Sequence, residues 1–261
     1  MNIGLVIVGD EILSGKRADK HLAKVIELLG ARGLALAWAR YVGDDAERIS
    51  AALRDAFASG DLVFCCGGIG ATPDDHTRQS AARALGVPLA LHPRARALIE
   101  ERMRDLAAER GVPYDPDVPD NVHRLNMGVF PEGAAIIPNP YNKIPGFSVA
   151  HVHFVPGFPV MAWPMIEWLL DTRYPHLRSR AWREQSVIVY GAMEATLTPL
   201  MQSIEARFAG VKVFSLPSVD DPVHGRHIEL GVKGAPDAVK AAYPVLLAGL
   251  AGAKLGPELV R

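Results

Sequence analysis

Short apolar runs alternate with stretches of helical periodicity along the first part of the chain. Unbroken apolar runs at Ile3–Val8 and Leu62–Cys66 are typical of strands buried on both faces of a parallel sheet. Between them, apolar residues at helical spacing predict helices over 19–32 and 44–60, with a strand over 34–41. Strands that alternate with amphipathic helices predict a three-layer α/β fold with a mostly parallel sheet.

The same alternation continues to about residue 170. We predict a helix that begins after Thr77 and ends near Leu85, and further helices over 93–110 and 160–170. Strands are predicted over 134–137 and 149–155. Residues 111–122 carry three prolines and several aspartates, and we expect an irregular loop there, with a lid over the sheet edge as one interpretation.

The pattern changes after an arginine-rich stretch. We predict a first domain over 1–172, a linker over 173–183 and a small α+β domain over 184–261. The second domain is predicted to contain strands over 185–190, 211–216 and 227–232, and helices that begin at Thr198–Pro199 and at Pro236, the latter kinked or shortened by Pro244.

Composition narrows the classes of function. Apolar residues make up 49% of the 261 residues, which is enough for a sizeable core, and the net charge of -1 argues against a nucleic-acid partner. The two cysteines, Cys65 and Cys66, are predicted core residues, so we expect a reducing, cytoplasmic environment. The first apolar run is followed at once by acids, which predicts a strand rather than a signal peptide, and no membrane span is expected.

A glycine-rich turn follows the second of those buried strands. Gly67, Gly68 and Gly70 allow a tight turn and a close approach of a ligand to the backbone amides. With Thr72 and Thr77 ahead of a helix, this turn is a candidate phosphate site, although Thr77 is more simply interpreted as a helix cap.

Carboxylates accompany the glycines. Asp74 and Asp75 would repel a bare phosphate, so a divalent cation, Mg²⁺ or Co²⁺, is predicted between them and the phosphate. Gly9, Asp10 and Glu11 follow the first strand, at the sheet edge where open α/β sheets bind ligands. The structural alternative is a plain turn with an Asp cap. For Asp44 and Asp45 a cap is the preferred interpretation.

Two further turns complete the candidate site. Pro138-Asn139-Pro140 and Lys143 to Phe147 precede a strand that ends in Pro156-Gly157-Phe158-Pro159. Asn139 and Lys143 are predicted to reach the substrate from this side. Ser14 and Gly146 complete the predicted substrate-binding positions.

These motifs together resemble the N-terminal half of the competence/damage-inducible CinA family. The residues that carry the resemblance are Gly9 to Gly15, the stretch GGIGATPDDHT, the Asn139 and Gly146 turns and the PGFP turn. That half has the molybdopterin-binding fold shared with MogA, MoaB, gephyrin and MoeA proteins. The resemblance covers about residues 1–170, the C-terminal segment is similar to the KH-like module of CinA, and Ala71 stands where the family commonly has proline.

The resemblance implies several activities. CinA N-terminal domains are associated with metal- and potassium-dependent hydrolysis of ADP-ribose-like dinucleotides, and a domain of FAD synthases with FAD hydrolysis. MogA-type proteins bind and adenylate molybdopterin, and the relatives form dimers or trimers, so a homo-oligomer is expected. The nicotinamide-mononucleotide deamidase domain of full-length CinA proteins has no expected counterpart within these 261 residues.

The predicted mechanism is metal-assisted hydrolysis of a pyrophosphate. Asp75, with Asp74 or Asp10, would hold the cation, and Glu11 would be a ligand or the base that positions water. Two alternatives remain open at this point, namely adenylyl transfer to molybdopterin and a non-catalytic module that binds a nucleotide or a pterin.

Overall fold

The computed structural model describes residues 2–178, 183–252 and 257–259. The chain divides into two compact units, Met1–Arg178 and Ser179–Arg261. This division falls inside the predicted linker 173–183, of which residues 179–182 lie outside the described part. Within the described residues, none of the helices combines the length and apolar character that a bilayer crossing requires.

The first unit alternates strands and helices. In chain order its elements are β1 (Ile3–Val8), α1 (Asp10–Leu13), α2 (His21–Gly30), β2 (Trp38–Val42), α3 (Ala46–Ser59), β3 (Leu62–Cys66), α4 (Thr77–Leu85), β4 (Leu89–Leu91), α5 (Pro93–Glu109), α6 (Pro119–Leu125), β5 (Val129–Pro131), β6 (Ala135–Ile137), β7 (Gly146–Val149), β8 (Val152–Val155) and α7 (Pro159–Thr172). Short 3₁₀ turns lie at Asn126–Gly128 and Pro175–Leu177.

Six of these strands form the central sheet in the order β2-β1-β3-β8-β7-β6. The first four are parallel, and β7 pairs antiparallel with β8 and with β6, which confirms the predicted mostly parallel sheet. The chain leaves β1 toward β2 on one side and returns to β3 on the other. The carboxyl ends of β1 and β3 therefore flank the point where the strand order reverses, which is where such sheets bind ligands.

Successive residues of β1 face the two opposite layers of helices. Leu5 and Ile7 lie in a buried cluster with residues of α2 and α7, whereas Val6 and Val8 lie in a second cluster with residues of α3, α4 and α5. Cys66 and Cys65 likewise face opposite layers, and burial raises the pKa of the Cys65 thiol to about 12. The three-layer arrangement and the core position of both cysteines are as predicted.

Three predictions for the first unit were wrong in detail. The second strand begins at Trp38 rather than at residue 34. The run 149–155 is not one strand, because the chain turns at Ala150, whose φ is 49°, and Val149 ends β7 while Val152 begins β8. The segment 111–122 is not wholly irregular, since α6 begins at Pro119.

The second unit is a four-stranded antiparallel sheet with two helices. Its elements are β9 (Arg183–Tyr190), α8 (Glu194–Arg207), β10 (Lys212–Asp221), β11 (Gly225–Gly234), α9 (Pro236–Gly252) and β12 (Pro257–Leu259), with the sheet order β10-β11-β9-β12. The predicted α+β class is confirmed. Helix α8 begins four residues before Thr198, so Pro199 lies inside its first turns, and α9 continues past Pro244.

Candidate functional site

A polar cleft of about 140 Å³ lies at the carboxyl ends of β1, β2, β3 and β8. It is lined by Val8, Gly9, Glu11, Arg17, Asp44, Gly67, Gly68, Asp74, Asp75, Gly157 and Phe158. The turns that follow four adjacent parallel strands therefore supply one cleft. Six predicted site residues meet there, namely Gly9, Glu11, Gly67, Gly68, Asp74 and Asp75.

The glycine turn after β3 packs tightly against β1. At Gly67 (φ 104°), a Cβ would collide with the carbonyl oxygen of Val8, and at Gly68 (φ 67°) it would collide with the hydroxyl of Thr77. Both positions therefore require glycine, for backbone conformation and for space. The turn forms part of the cleft wall, but the prediction that the Gly67 amide faces a ligand was wrong, because that amide donates to the Val155 carbonyl of β8 at 3.0 Å.

Two side chains at the start of α4 hold this turn from behind. The hydroxyl of Thr77 donates to the carbonyl of Gly67 at 3.0 Å, and its amide donates to the carbonyl of Gly68 at 2.9 Å. Arg78 donates to the carbonyl of Gly70 at 2.7 Å and also to that of Asn126. Thr77 is thus a buried brace rather than a helix cap or a residue of the cleft wall.

Hydrogen bonds between its first and last residues stabilise the loop from Thr72 to Asp75. A carboxylate oxygen of Asp75 accepts hydrogen bonds from the amide and the hydroxyl of Thr72, and the carbonyl of Thr72 accepts the amide of Asp75 at 3.0 Å. Gly70 lies against this carboxylate, where a Cβ would be 2.5 Å from an Asp75 oxygen. The Thr72 side chain holds the pKa of the neighbouring Asp74 below its usual range, so Asp74 is charged in the cleft at neutral pH.

The turns after β1 and β2 exchange hydrogen bonds. The Asp10 amide donates to the Asp44 carboxylate at 2.8 Å, and the Asp44 amide donates to the Asp10 carboxylate at 3.1 Å. Desolvation, joined by the charges of Asp10, Glu11 and Asp74, raises the pKa of Asp44. The three acids that add to this shift lie near Asp44, although Asp10 itself does not line the cleft.

Asp44 is a cleft residue that the sequence interpretation assigned to helix capping. The N-cap of α3 is its neighbour Asp45, whose side chain accepts the Arg48 amide at 2.8 Å. The place of Asp44 follows from the strand order, because β2 lies parallel to β1 and the residues after it reach the same sheet edge. Because Asp44 and Asp45 are adjacent, the sequence does not indicate which of them caps α3.

The donor set of the cleft suits a hard divalent cation. Glu11, Asp44, Asp74 and Asp75 offer carboxylate oxygens, the ligands that Mg²⁺ prefers. Among the described residues, no group of three or more His, Cys, Asp or Glu side chains converges closely enough to hold a metal ion alone. A Mg²⁺ ion here would therefore need water and substrate phosphates as ligands beside one or two carboxylates, which is its usual coordination in proteins.

Seven predicted substrate-binding residues do not line the cleft. Gly70, Thr72 and Thr77 belong to the loop and brace described above, and the other four lie in different turns. Ser14 ends α1 and is exposed. Asn139 is buried, and its amide group binds Asn142 and the Ile144 carbonyl within its own turn. Lys143 forms ion pairs with two acids of α5, which raise its pKa, and Gly146 packs under β8 because a Cβ there would strike the Phe154 carbonyl. The polar groups of Asn139 and Lys143 bind other parts of the fold, and the positions of all four residues give no support to their binding of substrate.

The sequence interpretation did not identify three residues that line or support the cleft. Arg17 and Phe158 line it, and His21 lies behind it, where its Nε2 donates to the carbonyl of Gly157 at 2.9 Å. Arg17 and His21 follow the first acidic turn without any motif of their own. Phe158 was noted only as part of a proline-glycine turn.

Comparisons with known proteins agree with this architecture. Residues 4–178 match the family described as "Probable molybdopterin binding domain". The crystal structure of CinA from Thermoplasma acidophilum, described as a protein of unknown function, superposes with a TM-score of 0.55 and 27% sequence identity over 66% of this chain and 98% of that chain. The first unit accordingly has the fold of the molybdopterin-binding domain, shared with this CinA structure.

Two sequence relatives differ in how much of their length is matched. A CinA-like protein of Syntrophotalea carbinolica is 30% identical over 80% of this chain, and a protein of Caldivirga maquilingensis is 29% identical over 91%. The chain spans about half of the former (51%) and 90% of the latter. On the family match over most of its length, the chain belongs to the molybdopterin-binding domain family and is a relative of the CinA-like proteins.

Proposed function

We propose that the cleft binds the pyrophosphate of a nucleotide-linked molecule together with a divalent cation and hydrolyses it. One observation carries the proposal, namely that a glycine turn and four carboxylates from three different turns line a single cleft of about 140 Å³. The glycine turn suits a phosphate group, and the carboxylates would repel the same group unless a cation lay between them. A pyrophosphate with Mg²⁺ fits both parts of the site, since the glycine turn binds a phosphate and the carboxylates bind the cation.

The chain's own residues have distinct tasks in this proposal. The Gly67 amide is held by the Val155 carbonyl at 3.0 Å, so the Gly68 amide is the backbone donor we assign to the phosphate. Arg17, the only cationic side chain among the described residues that line the cleft, neutralises part of the phosphate charge. Asp44 and Asp74 carry the cation. The bound cation would neutralise charge on the cleaved bridge and lower the pKa of water.

The reaction step is hydrolysis of the phosphoric anhydride. A water oxygen bonds to one phosphorus, the bridging oxygen leaves with the other, and two monophosphates form with release of a proton. Glu11 lines the same cleft and is the residue we assign to accept the proton of that water. Asp75 is tied to Thr72 by two hydrogen bonds, so it also fixes the loop that carries Asp74.

The family description supports a second ligand class. A "Probable molybdopterin binding domain" suggests that the phosphate belongs to a pterin, and adenylyl transfer would then replace hydrolysis. Hydrolysis yields monophosphates without any pterin, whereas transfer consumes ATP only when molybdopterin is present. A binding module would retain its ligand without turnover.

Product analysis tests the proposal. We expect the protein to cleave at least one of ADP-ribose, FAD, NAD and ATP in the presence of Mg²⁺ or Co²⁺, with loss of cleavage in EDTA. Asp74→Asn should lower the rate at least tenfold, while Asp220→Asn, the same charge change at an exposed position in β10, should leave it unchanged. Absence of cleavage across the panel, with pterin-dependent consumption of ATP instead, would replace hydrolysis by transfer.

A further inference from the structure

One aromatic side chain stands in the otherwise polar cleft. Phe158 is 56% exposed, although it is among the residues that line the cleft. Its companions there, among the described residues, are glycines, acids, Arg17 and Val8. A phosphate group gains no favourable contact from a large apolar ring, so the ring is available to another part of a phosphate-containing ligand.

The fold does not need this ring for its core. Phe158 belongs to none of the three hydrophobic clusters that the described residues form. By contrast, Phe147 is fully buried and stacks on Phe130 and Phe154, with ring centroids 4.6 and 4.4 Å apart. The described part of the chain shows no such aromatic partner for Phe158, so the face of its ring remains accessible.

The backbone that carries the ring is held on both sides. The carbonyl of Phe158 accepts the amides of Met161 and Ala162 at 3.0 and 2.9 Å at the start of α7. The preceding carbonyl, that of Gly157, accepts the hydrogen bond from buried His21 at 2.9 Å. A phenyl ring on a fixed backbone has few conformations to lose on binding, so it can present a pre-organised face.

The chemistry of such a face is specific. Planar nucleobases and related heteroaromatic rings stack on aromatic side chains, typically with about 1 to 3 kcal/mol per ring. Simple phosphates and sugar phosphates lack a planar ring and gain nothing from the contact. An aromatic side chain next to a phosphate-binding turn therefore favours phosphate ligands that contain a planar ring over those that do not.

We propose that Phe158 is the stacking platform for a planar heteroaromatic ring, a nucleobase, flavin or pterin, whose phosphate occupies the glycine turn at Gly67 and Gly68. This inference rests on the proposed function of the cleft and adds the ligand class. Phe158 is a binding residue in it, and no chemical step passes through its ring. The acidic cleft holds the phosphate and cation while Phe158 selects ring-bearing ligands.

Calorimetric binding with two probes in Mg²⁺ buffer tests the inference on the full chain. The ring-bearing probe is ADP-ribose and the ring-free probe is pyrophosphate, both used as analogues with a methylene group in place of the bridging oxygen, so that neither is hydrolysed. Phe158→Leu keeps an apolar side chain but removes the ring, and we expect it to weaken ADP-ribose binding roughly 5- to 100-fold and to leave pyrophosphate unchanged. Phe158→Tyr should keep wild-type affinity, and Val160→Ala, at an exposed apolar residue of α7 outside the cleft lining, should affect neither probe.

The outcomes separate the two proposals. Equal affinity of Phe158→Leu and wild type for ADP-ribose would overturn the stacking platform and leave the phosphate site standing. Equal weakening of both probes in Phe158→Leu would also overturn it, because the side chain would then shape the phosphate site itself. If neither probe bound to the wild type, the proposed function would fail and the platform with it.

Discussion

The glycines of the phosphate turn can be tested one residue at a time. Gly67 has a φ of 104° and no room for a Cβ beside the Val8 carbonyl, whereas Gly60 has a φ of 70° and nothing within 4 Å. We expect Gly60→Ala to lower the free energy of unfolding by about 1 to 2 kcal/mol through backbone conformation alone. Gly67→Ala should cost about 3 kcal/mol or more, because a fixed carbonyl must also move.

Urea unfolding of the two variants measures the difference, and nucleotide binding supplies a second readout. Only Gly67→Ala should lose binding, because Gly60 lies at the end of α3, outside the cleft. Equal costs for the two substitutions would contradict the close approach of the β3 turn to β1.

A buried histidine predicts how stability depends on pH. His153 on β8 is fully buried between the Ser148 hydroxyl at 2.7 Å and the Tyr174 hydroxyl at 2.6 Å. Burial, aided by the charge of Arg173, lowers its pKa to about 3 from an ordinary value of 6.5. The folded protein therefore binds fewer protons than the unfolded chain between these pH values, so stability falls as pH is lowered through this window.

The sign and size of this effect can be measured against a variant. Between pH 6.5 and 5, His153 should cost about 2 kcal/mol of unfolding free energy, at 1.36 kcal/mol per unit. The contribution is fully present above pH 6.5. His153→Gln should be less stable at pH 7 and should lack this part of the pH slope, while His123→Gln, at an exposed position in α6, should keep it. Identical slopes for His153→Gln and wild type would contradict a neutral buried imidazole.

Among the structural elements, α4 is the one that fixes the geometry of the glycine turn. Arg78 is only 5% exposed, and its guanidinium joins the carbonyl of Gly70 to that of Asn126 in the 3₁₀ turn before β5. Burial lowers its pKa, and the charge of Asp75 opposes that shift. Arg78 thus ties the cleft to the segment that contains α5 and α6.

Removing this tie should affect both stability and binding. Arg78→Met leaves buried carbonyls without a donor, so we expect a loss of about 2 to 4 kcal/mol of unfolding free energy and weaker nucleotide binding. Arg83→Met changes the same charge on the exposed face of α4, where its ion pair with Glu47 should contribute less than about 1 kcal/mol. Similar losses in the two variants would show that Arg78 acts as an ordinary surface charge.

Elements were predictable where one periodicity dominated and less so where turns lacked a signal. β1 and β3 have the predicted limits because both are continuous apolar runs that end at glycine. The β7–β8 turn was missed because Ala150 and His151 are not turn-forming residues, and the hairpin depends on pairing of β7 with β8. The start of α8 was misplaced because Pro199 indicated a first turn, whereas the helix already begins at Glu194.

For the molecule as a whole, strand order determined which predicted residues meet. Glu11, Gly67 and Asp75 could be predicted, since each follows a recognisable buried strand. Asp44 and Phe158 could not be assigned from local motifs, because their place beside the cleft depends on β2 and β8 flanking β1 and β3 in the sheet. Asn139 and Lys143 illustrate the reverse case, in which polar residues of a distinctive turn serve that turn itself.

The first unit should function without the second. All residues that line the cleft lie within Met1–Arg178, and so do two complete hydrophobic clusters, while the third cluster lies wholly in the second unit. A protein comprising residues 1–178 should fold and bind ADP-ribose within about twofold of the full chain, a factor equivalent to about 0.4 kcal/mol. Circular dichroism and calorimetry would check this. A folded first unit that had lost binding would show that the site needs the second unit.

If carboxylates and glycines share one cation-dependent pyrophosphate site, the neighbours Asp44 and Asp45 test it most directly. Asp44 lines the cleft and Asp45 caps α3, so the same substitution one residue apart separates the site from the fold. The measurement is the affinity for the non-hydrolysable methylene analogue of ADP-ribose across a Mg²⁺ titration. We expect Mg²⁺ to strengthen binding in the wild type and in Asp45→Asn, because Asn also caps helices, and to have a clearly smaller effect in Asp44→Asn. An affinity independent of Mg²⁺, or an equal Mg²⁺ response in the two variants, would contradict the account.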